Sequence, residues 1–229
     1  MTQRYRVKTY VEDAYYHVFN RGVEKRTIFE DDNDYSLYLH LLKYYLSPEN
    51  QGLFHPSENY ATYNIIRPRP LTNLSNEIDL LAYCLMPNHF HLLIKQKTKN
   101  GMTKLLRSIS TTYAMYFNKK YDRVGPLFQG RYKAALVDND NYLIHISRYI
   151  HLNPLDLALT GTDPVNYPYS SFAYYVGKKQ ADWLKPNKVL ELFKKDGLFP
   201  SMFKYRSYDN FFVKDITDSK EKIGTLSID

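Results

Sequence analysis

The stretch LLAYCLMPNHFHLLIK, residues 80–95, decides the fold. Leu80 to Met86 is a continuous apolar run of strand length, Pro87-Asn88 is a turn, and His89 to Lys95 alternates with Phe90, Leu92 and Ile94 on one side. That pattern predicts a β-hairpin. Upstream, Tyr15 to Arg21 alternates and closes on the turn-prone Asn20-Arg21-Gly22, so it reads as a first strand. Asp31 to Asp34 then supplies N-cap candidates for a helix in which Leu37, Leu41, Leu42 and Tyr45 recur at helical spacing up to Ser47-Pro48. Downstream, Leu105, Leu106, Ile109, Tyr113, Tyr116 and Phe117 form the stripe of a long amphipathic helix over 101–121. Lys133 to Val137 reads as a fourth strand, and Asp138 or Asn139 caps a helix running to Pro154. The order β-α-β-β-α-β plus one further helix predicts an α+β, ferredoxin-like antiparallel sheet with two helices on one face and the last helix on the other.

A chain of 229 residues with 44% hydrophobic and 24% charged residues can bury a core, which excludes wholesale disorder. The expected organisation is a domain over 1–176, interrupted by a proline-rich inserted loop at about 48–77, and a C-terminal extension over 177–229 whose role the sequence leaves open. One cysteine, Cys84, permits no internal disulfide, and no apolar run approaches the roughly 20 residues needed to span a bilayer. The expectation is a cytoplasmic protein without a membrane partner, as a monomer or homodimer.

The net charge of +7 is unevenly spread. Between Lys95 and Lys133 ten basic residues face one acidic residue, Asp122, so this segment carries more than the whole net charge. Such clustering points to a phosphate-binding face rather than to general solubility, with Lys104, Arg107, Lys119, Lys120, Arg123, Arg131 and Lys133 as candidate nucleic-acid contacts. The 23 tyrosines suit base stacking and a tyrosine-rich core equally.

His89 and His91 stand two apart on a strand, so both imidazoles point to one side and can reach one cation. Two ordinary histidines on a half-exposed strand would show the same spacing. On the last helix Tyr149 and Asn153 lie four apart and share a face, with His145 a further turn back. The amide oxygen of Asn153 is a chemically reasonable third ligand, and a tyrosine hydroxyl beside a cation could attack a phosphodiester. A packed aromatic and a helix C-terminal asparagine remain the plainer readings of these two.

The segments Leu85 to Leu93, Gly125 to Lys133 and Arg148 to Pro154, taken together and in order, resemble the REP-associated tyrosine transposases of the HUH single-tyrosine group, over about Tyr15 to Phe172. The resemblance implies single-stranded DNA as substrate, beside a hairpin. It also implies Mg²⁺ or Mn²⁺ on His89 and His91, with Asn153 where related enzymes place an amide ligand. Tyr149 would be the nucleophile, leaving a 5′-phosphotyrosine and a free 3′-OH. A non-catalytic nucleic-acid-binding protein and a water-using metal nuclease are the rival readings.

Overall fold

The computed structural model describes residues 10–48, 73–157, 164–193, 208 and 211–212. Its centre is one four-stranded antiparallel sheet built from β1 (Ala14–Arg21), β2 (Ile78–Met86), β3 (His89–Gln96) and β4 (Lys133–Val137), in the spatial order β2-β3-β1-β4. β1 and β2 run parallel with β3 inserted between them, antiparallel to both. This is the ferredoxin-like arrangement, and the expected α+β class is the observed one.

The two predicted helices α1 (Asp32–Leu46) and α2 (Gly101–Lys120) cover one face. Their buried residues join Tyr16 and Val18 of β1, Phe90, Leu92 and Ile94 of β3, and Ala134 of β4 in one core. The helix α3 (Asp140–Leu152) packs on the opposite face, against Leu81, Ala82, Cys84, Met86 and Leu93. Its N-terminus is capped by Asn139, whose side chain accepts from the Tyr142 N–H at 2.7 Å, as the sequence predicts. A second layer on both faces explains why β2 reads as unbroken apolar residues: each side is buried.

One detail of β2 escapes a periodicity reading. A bulge between Leu80 and Ala82 puts Leu81 and Ala82 on the same side, so Leu80 and Tyr83 both reach the α1/α2 core although they are three apart.

Two short helices follow α3, α4 (Phe172–Tyr175) and α5 (Asn187–Leu190). The outer edge of β2 is covered by chain from these regions: the Leu85 N–H donates to Tyr169, the Ser171 N–H to Tyr83, and the Lys185 N–H to Leu80. Trp183 and Leu184 enter the first core and Val189 and Leu192 the second, so the start of the expected C-terminal extension completes the domain. Most of the expected inserted loop, 49–72, and most of the extension beyond 193 lie outside the described residues.

The hairpin turn is stitched to the segment after β1. Pro87 accepts from the Ile28 and Phe29 N–H groups at 2.7 and 3.0 Å, and Asn88 accepts from the Gly22 N–H at 2.9 Å. Gly22 is required there: a Cβ would lie 2.3 Å from the Arg26 carbonyl oxygen.

Candidate active site

His89 and His91 extend from β3 toward the face covered by α3, opposite to Phe90, Leu92 and Ile94. Their rings are 5.0 Å apart and perpendicular. The Tyr149 ring stands edge-on against His91 at 5.4 Å. Tyr149 is 8% exposed, so a mostly packed ring keeps a small opening to solvent. Asn153 follows one turn later and is buried; its amide nitrogen donates to the Tyr149 carbonyl at 2.8 Å. The four residues singled out from the sequence therefore gather at one place. His145, a turn earlier on α3, points elsewhere and packs against Phe211.

The protonation pattern of His89 follows from its neighbour. The Asn88 amide nitrogen donates to the Lys25 carbonyl at 3.2 Å, leaving Oδ1 to face His89 Nδ1 at 2.6 Å. A carboxamide oxygen can only accept, so His89 carries a proton on Nδ1, and its neutral form has the lone pair on Nε2. His91 is fully buried. Burial, reinforced by the neighbouring His17 and His89 rings and by Arg21, holds it well below the usual histidine range; Asn153 alone pulls the other way. His91 is thus a neutral imidazole, the form that can coordinate. Its Nε2 makes no hydrogen bond among the described residues, while the Asn153 side chain lies close enough to favour the protonated ring.

Sequence reasoning missed His17. On β1 it projects to the same face, and its Nε2 lies 2.8 Å from His91 Nδ1 with the two rings stacked at 5.0 Å. Burial pushes His17 down to about 3. The signal was available in part: β1 lies beside β3 in a ferredoxin-like sheet, and His17 has the phase opposite to Tyr16 and Val18.

Among the described residues no group of three or more His, Cys, Asp or Glu is arranged to hold a metal ion. A divalent cation would rest on His89, His91 and the Asn153 amide oxygen, and the unpaired His91 Nε2 is the atom that fits one.

α3 is fixed from behind by buried polar bonds. His151 meets the Tyr208 hydroxyl at 2.8 Å through Nδ1 and the Ser171 hydroxyl at 2.7 Å through Nε2. Ser171 in turn accepts from the Tyr83 N–H of β2 at 2.9 Å. The tyrosine-bearing helix is therefore tied to the sheet that carries the histidines.

The basic segment does not present one face. Lys104 pairs with Glu77 at 2.7 Å, and Lys120 is clasped by Asp31 and Asp34 at 2.7 Å each, its side chain only 11% exposed. Lys95 and Lys97 pair with Asp13 and Asp79. Arg123 donates to the Asn118 side chain across the Phe117 ring, and Arg107 and Lys119 are exposed on α2. α2 lies on the sheet face away from Tyr149. Two of its residues lie on the histidine side of the sheet: Lys95, over the Tyr15 ring and paired with Asp13, and Lys133, over the Phe19 ring, which itself touches His91; Arg131 is exposed just before β4.

Residues 71–153 match the family described as "Transposase IS200 like". The fold matches a solved structure of a REP-associated tyrosine transposase bound to a REP hairpin, with a TM-score of 0.51 and 16% sequence identity, covering 81% of this chain and 92% of that one. A search of curated proteins gave no significant match. No helix among the described residues is long and apolar enough to cross a membrane. The resemblance seen in the motifs therefore stands: over 71–153 this chain is similar in sequence to the IS200-like transposase family, and its fold is shared with the REP-associated tyrosine transposase.

Proposed function

We propose that the protein nicks and rejoins single-stranded DNA through a covalent 5′-phosphotyrosine on Tyr149, with a divalent cation held by His89, His91 and Asn153. The observation that carries the reading is the Tyr149 ring set against the buried, neutral His91, one helical turn from Asn153. The IS200-like match and the hairpin bound to the solved relative support DNA as the substrate class, next to a hairpin.

The reaction is a transesterification. The Tyr149 oxygen forms a bond to phosphorus as the bond to the 3′-oxygen breaks; the phenolic proton is released, and the departing oxygen takes up a proton as a free 3′-OH. Rejoining reverses the step with an incoming 3′-OH, and because one ester replaces another no outside energy source is needed. A bound Mg²⁺ or Mn²⁺ supplies polarisation of a phosphate oxygen. Two imidazole donors suit Mn²⁺ better than Mg²⁺, which prefers oxygen ligands. The protein's own contribution is placement: β3 orients the imidazoles, α3 brings the hydroxyl, and Lys133 at the start of β4 attracts the DNA backbone on the same side.

Incubation of a labelled single-stranded hairpin oligonucleotide with protein and Mn²⁺, followed by denaturing electrophoresis, tests the reading. A protein-linked band is expected. Cleavage without the band would instead support a water-using nuclease, and binding without cleavage a non-catalytic DNA-binding protein.

A further inference from the structure

We propose that His17 is the positioning residue of the cation site, holding His91 in the tautomer that turns its Nε2 lone pair outward. The inference rests on the assignment of His91 as a ligand.

Between His17 Nε2 and His91 Nδ1, 2.8 Å apart, there is room for one proton. If His17 donates it, neutral His91 carries its own proton on Nε2 and cannot coordinate there. If His91 donates it, Nε2 keeps its lone pair and His17 carries its proton on Nδ1. Coordination requires the second arrangement. The two outer nitrogens, His17 Nδ1 and His91 Nε2, are both buried without a hydrogen bond among the described residues; the nearby Asn153 side chain favours a proton on His91, so His17 is the group placed to keep that proton on Nδ1. His89 has a corresponding acceptor in Asn88, but a carboxamide oxygen, which leaves no ambiguity. The His17 ring also stacks on His91 and meets Tyr149 edge-on at 5.9 Å, so it sets the tilt of the His91 ring beneath the tyrosine.

The test measures Mn²⁺ binding by calorimetry on the full chain without DNA, for wild type, His17→Phe, His17→Gln and His91→Ala. His17→Phe keeps a flat ring and removes both nitrogens; His17→Gln restores an acceptor oxygen. Loss of an outer hydrogen-bond partner typically weakens metal affinity about 10- to 100-fold, and that is the change expected for His17→Phe, with most of it recovered in His17→Gln. Wild-type affinity in His91→Ala would sink the ligand assignment itself. With His91→Ala weakened, wild-type affinity in His17→Phe, or equal loss in His17→Phe and His17→Gln, would overturn the role of His17. Should His17→Phe fail to fold, the ¹⁵N spectrum of the wild type with Mg²⁺ decides: a proton on His91 Nδ1 supports the proposal, and a proton on Nε2 overturns it.

Discussion

The side-chain nitrogen of Asn153 donates to the Tyr149 carbonyl 2.8 Å away and also approaches the Ile150 carbonyl at 3.4 Å, which assigns both ends of the amide. With the nitrogen closing the end of α3, the oxygen is the end left for His91. Asn153→Asp keeps an oxygen and loses the donor, whereas Asn153→Ala loses both. Asn153→Ala should lower stability by about 1 kcal/mol and raise the Mn²⁺ concentration needed for cleavage. Asn153→Asp should show the stability loss while retaining cation binding. Denaturant titration and metal titration of cleavage separate the two effects, and an unchanged metal requirement in Asn153→Ala would count against its oxygen as a donor.

Tyr149→Phe removes one oxygen from a packed ring, so folding and DNA binding should survive while the covalent adduct disappears. Tyr113 and Tyr116 have other work in the α1/α2 core: Tyr113 donates to the Ile28 carbonyl and Tyr116 to Asp34 at 2.9 Å. Tyr113→Phe should therefore still form the adduct but lose about 1 to 3 kcal/mol, because a buried acceptor is left unmet. Peptide mapping of the trapped complex by mass spectrometry checks this, and a DNA-linked peptide lacking Tyr149 would refute the assignment.

Lys120 and Lys133 should behave oppositely despite lying in the same basic segment. Asp34 is wholly buried, so Lys120→Met strands a buried carboxylate and should cost about 3 kcal/mol. Its effect on the salt dependence of DNA binding should be negligible. Replacing Arg131 and Lys133 together by alanine should leave the melting temperature nearly unchanged. It should flatten the log-log salt slope for single strands by up to about 1.4 units, at about 0.7 per phosphate contact. Equal slopes for the double variant and wild type would remove this edge from the DNA path.

The Lys104 hydrogen bond, aided by Thr98, holds Glu77 below its ordinary value of 4.5. A carboxyl depressed on folding stabilises the fold above its unfolded pKa and loses that contribution as pH falls through the folded value. Lys104→Met should thus be less stable than wild type above about pH 4.5, by less than about 1 kcal/mol since Lys104 is half exposed, and the difference should vanish in stronger acid. Urea midpoints from pH 3 to 7 test it; a constant difference would show that the ion pair is not its source.

The parts legible in the sequence are those set by local pattern. Phe90, Leu92 and Ile94 announce the buried face of β3, which places His89 and His91 on the other, and the stripe from Leu105 to Phe117 announces α2. What could not be read depends on partners far along the chain. His17 meets His91 across 74 residues, so on its own it reads as one more strand histidine. Lys104 and Lys120 look like free cations until Glu77, Asp31 and Asp34 are folded against them. The bulge at Leu81 was hidden because an unbroken apolar run carries no phase to interrupt.

The two chain ends flanking residues 49–72 are clamped together: the Leu74 N–H donates to the Tyr45 carbonyl at 2.7 Å, and the Asn73 side chain to the Ser47 carbonyl at 2.6 Å. Both lie where α1 ends and β2 begins, the opposite end of the β2-β3 hairpin from His89. Peptide spliced between them would be closed off by bonds the domain already makes, at an entropic cost of only about 0.6 kcal/mol for each doubling of length. The position is therefore a natural port for a reporter or affinity handle, one that would extend the protein without displacing the chemistry on the far side of the sheet.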